Sequence, residues 1–213
     1  KTILLTGAST GIGAAMIPHL VKENCRIALL ARRKELIDGI VSSLDNHNSE
    51  IITVQCDVSI KENVTDSFNF VKEKFGDFDI ALLNAGVGFR ASVNDFDSSR
   101  AEVTFGVNVL GLIYCVEQLL PSMMNRKEGI IAGVSSLADN RGYAGSGFYC
   151  ASKAAATTFL ESLRVELAGY NVKVITIKPG FVKTPMTDKN EFKMPFLMDS
   201  DKAAKIILKG LKK

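Results

Sequence analysis

The run Thr2-Ile3-Leu4-Leu5-Thr6-Gly7-Ala8-Ser9-Thr10-Gly11-Ile12-Gly13 decides the fold. Its first five residues read as a strand over 2–6, and the glycines at 7, 11 and 13 turn the chain directly into a helical stretch over 12–24. Glycine permits a tight turn and lets the backbone approach a pyrophosphate, which then sits on the free N–H donors and positive dipole of the helix N-terminus. Glycines also serve strand-to-helix turns that bind nothing. Here strand, turn and helix follow in the order that a dinucleotide site requires, which favours the nucleotide reading. Pro18, inside the helical stretch, removes a backbone donor and should bend it.

Beyond the turn, short apolar runs alternate with longer amphipathic stretches, the pattern of βαβ units. Strands are expected near 26–30, 51–55, 79–83, 129–134 and 172–178, with helices near 33–46, 61–75, 99–125, 150–168 and 200–210. Runs such as Ile27-Ala28-Leu29-Leu30 and Ile80-Ala81-Leu82-Leu83 suit strands buried on both faces of a parallel sheet. No linker or internal repeat interrupts the series. The expectation is an α/β fold: a three-layer, Rossmann-like, doubly wound parallel sheet forming one domain over 1–213.

Composition narrows the function. The chain has 213 residues, enough for a sizeable core, and its 26 basic and 23 acidic residues leave a net charge of only +3. The charges are spread along the chain, and the runs Arg32-Arg33-Lys34 and Lys212-Lys213 are too short to be arms, so no nucleic-acid partner is indicated. The cysteines at 25, 56, 115 and 150 form no CxxC or His/Cys cluster, which argues against a metal site or disulfide framework and fits reduced thiols in a cytoplasmic protein. No apolar run reads as long enough to span a bilayer and no leader is visible, so no membrane partner is expected. The chain begins at Lys1 without a Met, as a sequence lacking its natural first residues would.

The chemistry is concentrated in Tyr149-Cys150-Ala151-Ser152-Lys153, where a phenol and an ammonium stand four residues apart at the start of a helical stretch and so share one helix face. Bringing a phenol from a pKa of about 10 to about 7 takes roughly 4 kcal/mol of preferential stabilisation of the phenolate, which a nearby fixed positive charge can supply. The bland alternative is a half-buried aromatic beside a snorkelling lysine.

A family pattern decides between them. Thr6 to Gly13 resembles the TGxxxGxG motif of the short-chain dehydrogenase/reductase family, and further matches follow in that family's order: Cys56-Asp57-Val58, Asn84-Ala85-Gly86, Asn108, Ser135-Ser136, Tyr149 to Lys153, and Pro179-Gly180 through Thr184. The resemblance covers nearly the whole chain. It implies hydride transfer on a nicotinamide cofactor, with the protein positioning substrate and moving one proton. By resemblance Tyr149 is the general acid in carbonyl reduction and the base in alcohol oxidation, and Ser136, thirteen residues earlier, hydrogen-bonds the same oxygen. Ser135 is the fallback, or a strand-end cap. Lys153 would hold the nicotinamide ribose and depress the Tyr149 pKa. Asn108 would support a water leading protons from Lys153 to solvent, or satisfy a local helix kink, and the two are compatible.

For the cofactor, Gly7, Ser9, Thr10, Gly11, Ile12 and Gly13 form the expected pyrophosphate turn. Asp57 reads as the family's adenine-contacting aspartate or as a helix cap, with Val58 its apolar neighbour. Asn84, with Ala85 and Gly86, would tie the central strands together near the cofactor. Thr184 and the backbone near Val182, following Pro179 and Gly180, would receive the carboxamide. Cofactor choice turns on Leu30-Ala31-Arg32-Arg33. An NAD site wants an acid about 20 residues beyond the glycines. Ala31 stands there instead, and Arg32, with Arg33 behind it, offers a charge-assisted partner for the 2′-phosphate of NADP(H).

The segment from Met186 to Asp199, where this family builds its substrate lid, is short and largely apolar (Phe192, Met194, Pro195, Phe196, Leu197, Met198), which favours a small or moderately apolar carbonyl or alcohol substrate. Residues 137–148 and Phe89-Arg90 are the other candidate walls. The chain stops before the family's usual final strand, either because the natural protein lacks it or because the sequence is truncated. A non-catalytic NADP(H)-binding regulator is the competing reading, and the intact Ser136, Tyr149 and Lys153 argue against it. By resemblance the helices near 99–125 and 150–168 should form a homodimer or homotetramer interface, with Leu110, Leu112, Val116, Leu119, Phe159, Leu160 and Leu163 as candidate apolar surface, several of them facing the sheet instead.

Overall fold

The computed structural model describes residues 1–44, 47–190 and 192–212. Six parallel strands make one sheet in the order β3-β2-β1-β4-β5-β6: β1 (Thr2–Thr6), β2 (Arg26–Ala31), β3 (Glu50–Gln55), β4 (Ile80–Leu83), β5 (Gly129–Val134) and β6 (Val172–Ile177). Each lies within one residue of its expected bounds. The helices are α1 (Gly11–Leu20), α2 (Lys34–Ser42), α3 (Lys61–Phe75), α4 (Ser99–Phe105), α5 (Gly111–Arg126), α6 (Gly147–Leu167) and α7 (Ser200–Leu211).

Side-chain alternation along the strands builds both faces of this sheet at once. Leu4, Ala28, Leu30, Ala81, Leu83 and Ile131 join a core with Phe68 of α3, Leu119 of α5 and Leu160 of α6. Their neighbours Ile3, Leu5, Ile27, Leu29 and Leu82 join a second core with Met16 and Ile17 of α1, Ile37 of α2 and Ile207 of α7. A strand with apolar residues at both parities has no solvent face, which is why these runs are continuous rather than alternating. Phe68 is fully buried and meets Phe78 edge-to-face at 5.2 Å.

The connectivity follows from right-handed crossovers. The chain steps outward from β1 through β2 to β3 with α1 and α2 on one face, then returns beside β1 as β4 and steps the other way with α3, α5 and α6 on the opposite face. The order reverses between β1 and β4, so a crevice opens there at the carboxyl ends of the strands, where open sheets bind ligands.

Four local expectations change. The first helix continues through Pro18 but gives way to a single 3-10 turn at Val21–Glu23. The second ends at Ser42 rather than 46, and residues 45 and 46 lie outside the described ones, as do Glu191 and Lys213. The long helix is interrupted by a π segment, Gly106–Leu110, between α4 and α5. Two short strands were not expected: β7 (Val182–Lys183) pairs in parallel with β8 (Met198–Asp199) and closes the base of the apolar segment between them.

The helical run Ser99–Arg126, 28 residues long, is long and apolar enough to cross a membrane by length and composition, contrary to the expectation of no such run. Here Val107, Cys115, Val116, Leu119 and Met123 along it are buried, the signature of a helix packed on a sheet. The same packing removes Val116, Leu119, Leu160 and Leu163 from the candidate apolar surface, because all four point into the core. Leu110, Val103 and Val165 are the exposed apolar residues of these helices. Among the described residues β6 is the sheet edge beyond β5, and Arg164 covers part of it, donating from Nε to the Val174 carbonyl at 2.8 Å.

Candidate active site

The glycine turn is built by close approach. Gly7 and Gly11 have φ of +66° and +59°, a region that side chains disfavour, and a Cβ on Gly7 would lie 2.7 Å from Ala85 Cα. A Cβ on Gly13 would collide with the Gly7 carbonyl oxygen and reach 2.7 Å from Asn84 Nδ2. The buried Thr6 hydroxyl accepts N–H bonds from Asn84 and Ala85, both 3.1 Å, and Asn84 Nδ2 donates to the carbonyls of Thr6 and Gly7, both 3.2 Å. Asn84 therefore ties β4 to the turn after β1, as expected. Thr10, extended at the start of α1, offers the helix no side-chain cap, and no acid stands in the first turn, so the Ser9-Thr10-Gly11-Ile12 N–H end is left for an anion.

Helix α6 begins two residues before Tyr149 and presents Tyr149 and Lys153 to the crevice. Lys153 is 4% exposed, donates from Nζ to the Val134 carbonyl at 2.9 Å, and lies 5.8 Å from the centre of the Tyr149 ring. Burial pushes its ammonium pKa down, to about 8. Tyr149 differs from the expectation: burial raises its phenol pKa above the ordinary value, with the Ser136 hydroxyl pulling the other way. Burial is the leading cause, and the Lys153 ammonium, bonded to the Val134 carbonyl, is not among the groups that offset it. At neutral pH Tyr149 thus holds its proton, the form that a general acid needs.

Ser135 and Ser136 separate cleanly. Ser135 turns its hydroxyl toward α6, donating to the Lys153 carbonyl at 3.0 Å and meeting Thr157 Oγ1 at 2.7 Å, so it is a structural tie. Ser136 opens the 3-10 turn Leu137–Asp139, accepting the Ala138 N–H at 3.1 Å, and it is the serine beside Tyr149. Asn108 sits in the π segment and is fully employed: Oδ1 accepts the Val87 N–H at 2.8 Å, while Nδ2 donates to the Val87 carbonyl and to Ser152 Oγ, both at 2.9 Å. Asn108 thus lies at a kink of the long helix but spends its amide on the Val87 backbone and Ser152 rather than on the helix's own backbone, and a π bulge at such a place is a frequent mark of a functional site. A Cβ on Gly86 would lie 3.3 Å from Lys153 Nζ and 3.4 Å from Asn108 Oδ1, so these groups share one small space.

At the other end of the crevice, Arg32 and Asp57 leave neighbouring strands together, 3.9 Å apart, with the Arg32 side chain 57% exposed. Asp57 accepts both the N–H and the hydroxyl of Ser59, at 3.0 and 2.6 Å, the bonds of a turn leading into α3. Val58 is buried in the core, where a Cβ on Gly111 would come within 2.8 Å of it. Arg33 is exposed at the start of α2. From the far side, Thr184 reaches back to the glycine turn, its Cγ2 3.1 Å from where a Gly11 Cβ would be. Thr187, unnoticed in the sequence, fixes that segment by donating to the Val182 carbonyl at 2.7 Å and accepting the Thr184 N–H at 2.9 Å. Pro179 accepts the Leu137 N–H at 3.0 Å, so Pro179-Gly180 lies against the Ser136 turn.

The mouth is apolar and exposed. Phe89, Phe96, Leu137, Met186, Phe192 and Leu197 are all exposed. Gly88 lies against the Tyr149 ring, with Met186 Sδ close by. Arg100 holds the Phe89 loop in place by donating to the Arg90 carbonyl at 2.8 Å and to Asp95 at 2.7 Å.

Three comparisons place this geometry among known proteins. The family model described as short chain dehydrogenase matches residues 1–194. An uncharacterized oxidoreductase of Myxococcus xanthus is 36% identical over 211 residues, 99% of this chain and 83% of that protein. A farnesol dehydrogenase of Aedes aegypti is 35% identical over 191 residues, 86% of this chain and 78% of that protein. The solved structure of an alcohol dehydrogenase from the archaeon Thermococcus sibiricus, complexed with 5-hydroxy-NADP, superposes with a TM-score of 0.90 at 26% identity, covering 100% of this chain and 91% of that one.

Proposed function

The chain belongs to the short-chain dehydrogenase family and is an oxidoreductase with a nucleotide-binding fold; from that premise we propose that it interconverts a moderately apolar aldehyde or ketone and the corresponding alcohol with NADP(H). The observation that carries the reading is the meeting of Ser136, Tyr149 and Lys153 at the same crevice as a glycine turn too tight for side chains.

The residues present fit such a cofactor. Gly7 to Gly13 leave room and N–H donors for a pyrophosphate, Lys153 would hold the nicotinamide ribose, and Thr184 with the Val182 backbone would take the carboxamide. Arg32, only loosely engaged by Asp57, would meet the 2′-phosphate, with Arg33 as a weaker second. When bound, the cofactor supplies or accepts the hydride. Ser136 holds the substrate oxygen, and Tyr149 gives it a proton in reduction and takes one in oxidation. Asn108 would support, across the π segment, a water leading protons from Lys153 to solvent. The related farnesol dehydrogenase and the apolar mouth both support a substrate with a hydrocarbon body.

The test is turnover of a panel of aldehydes and ketones with NADPH, followed at the cofactor's absorbance. Reduction of at least one apolar member is expected; NADPH binding with no turnover of any would favour a cofactor-sensing regulator. The protein should also self-associate through the helical run 99–126 and α6, where Val103, Leu110 and Val165 are exposed. A monomer by sedimentation at micromolar concentration would refute that part.

A further inference from the structure

Behind the Ser136 turn lies a carboxylate that the reaction scheme does not use. Asp139 ends the 3-10 turn that Ser136 begins, and its side chain is only 2% exposed. Its Oδ2 accepts from Thr157 Oγ1 at 2.5 Å and from Lys178 Nζ at 2.8 Å, while Oδ1 is buried without a hydrogen-bond partner. A buried charge is expensive unless its setting returns something for it.

The two partners come from different segments. Thr157 stands one helical turn beyond Lys153 on α6, and its hydroxyl meets that of Ser135, which in turn bonds the Lys153 carbonyl. Lys178 directly follows β6 and precedes Pro179-Gly180. The turn carrying Ser136, the helix carrying Tyr149 and Lys153, and the segment running on to Thr184 therefore converge on one carboxylate. Each bears a different part of the site proposed above. We propose that Asp139 is a positioning residue: with Thr157 and Lys178 it clamps these three segments in register, so that Ser136, Tyr149 and the nicotinamide end of the crevice stand at fixed separations.

The inference rests on the oxidoreductase reading only for its kinetic consequence. Asp139 touches neither substrate nor cofactor in the scheme, so its loss should lower kcat and leave binding nearly intact. Misplacement of reacting groups by about 1 Å can cost about a hundred-fold in rate. Accordingly D139A should lose about ten-fold to a hundred-fold in kcat, with KM for the carbonyl and Kd for NADPH changed by less than about three-fold. D139N, which still accepts from Thr157 but no longer neutralises Lys178, should fall between.

D139A leaves Lys178 without its partner and is destabilised for that reason alone, so D139A/K178M is made beside it. Removing both charges should return the melting temperature toward wild type, whereas kcat, assayed well below the melting temperature, should stay low because the clamp is still missing. Hydrogen exchange in the cofactor-free protein gives a readout independent of turnover. In D139A, protection should fall together in peptides covering 136–139 and 178–181 while the peptide covering 6–13 is unchanged. A kcat within two-fold of wild type in D139A, a kcat that recovers in step with stability in the double variant, or loosening confined to 136–139 would each overturn the clamp. A wild-type protein that reduces no carbonyl compound would instead overturn the proposed reaction, and the exchange pattern would still decide on the clamp.

Discussion

The two sides of the crevice are made of opposite materials. On the cofactor side, Thr6, Asn84, Asn108, Ser152 and Lys153 are buried or half-buried polar groups, each with named hydrogen-bond partners, and the glycines leave no slack between them. On the substrate side, Phe96 is 67% exposed and Phe196 98%, beyond the short pairing of β7 with β8. A polar network buried in low dielectric tolerates one arrangement, because any unpaired member costs its full desolvation. An exposed apolar rim costs little to rearrange. The difference teaches that the first side is set by the backbone and the cofactor's fixed shape, and the second by whatever substrate covers it.

Perturbations of the two sides should differ accordingly. Gly13→Ala drives a methyl group into the Gly7 carbonyl and Asn84, and since backbone is what it meets, about 3 kcal/mol or more of stability should be lost. Urea unfolding checks this, and an unchanged midpoint would show that the turn has slack.

Exchanging Ala31 for Asp and Arg32 for Ser should come next in size. Charge-assisted bonds are worth about 1.5–3 kcal/mol, so the NADPH over NADH preference, ten-fold to a hundred-fold or more, should reverse. Equal Kd values for NADH and NADPH in the unaltered protein at low salt would remove the role given to Arg32.

Lys153→Met should abolish turnover yet stabilise the fold. The step from 10.5 to about 8 corresponds to about 3 kcal/mol of burial cost. Its sign follows from linkage: the folded pKa is depressed, so the cost is complete below pH 8, shrinks as pH rises from 8 to 10.5, and is gone above. Losing the bond to the Val134 carbonyl offsets about 1 kcal/mol, leaving a net gain of about 2 kcal/mol near pH 7 that fades toward pH 10. Denaturation across that range tests it, and a destabilised variant at pH 7 would contradict it. The smallest effect belongs to the rim: Phe192→Ala should raise KM for apolar carbonyl compounds by a few-fold and lower the melting temperature by no more than about 3 °C, because the ring is half exposed and gives up an edge-to-face contact with Phe181.

What the sequence revealed follows the same division. Strand bounds were legible because buried parallel strands are apolar at both parities; Tyr149, Lys153, Ser136 and the glycine turn, which the fold brings to one crevice, stood out through their likeness to the family's motifs, and their roles are those proposed above. Asp139 was not legible, since a carboxylate three residues past Ser136 looks like loop surface until Lys178 and Thr157 arrive from distant segments. The π segment was hidden because Gly106–Leu110 continues a helical pattern, and its register changes only where Asn108 reaches the Val87 backbone. The strands β7 and β8 are two residues each, too short to carry a period. The direction of the phenol's shift was not legible because the spacing of Tyr149 and Lys153 says nothing of how far the fold buries the phenol.

The central claim is that Tyr149 is the proton donor of a carbonyl reduction. Tyr149→Phe removes the transferable proton and little packing, so NADPH-dependent reduction, measured at saturating cofactor, should fall about a hundred-fold to ten-thousand-fold, while the Kd for NADPH from its fluorescence stays within about three-fold. Near-normal reduction by Tyr149→Phe would contradict the account.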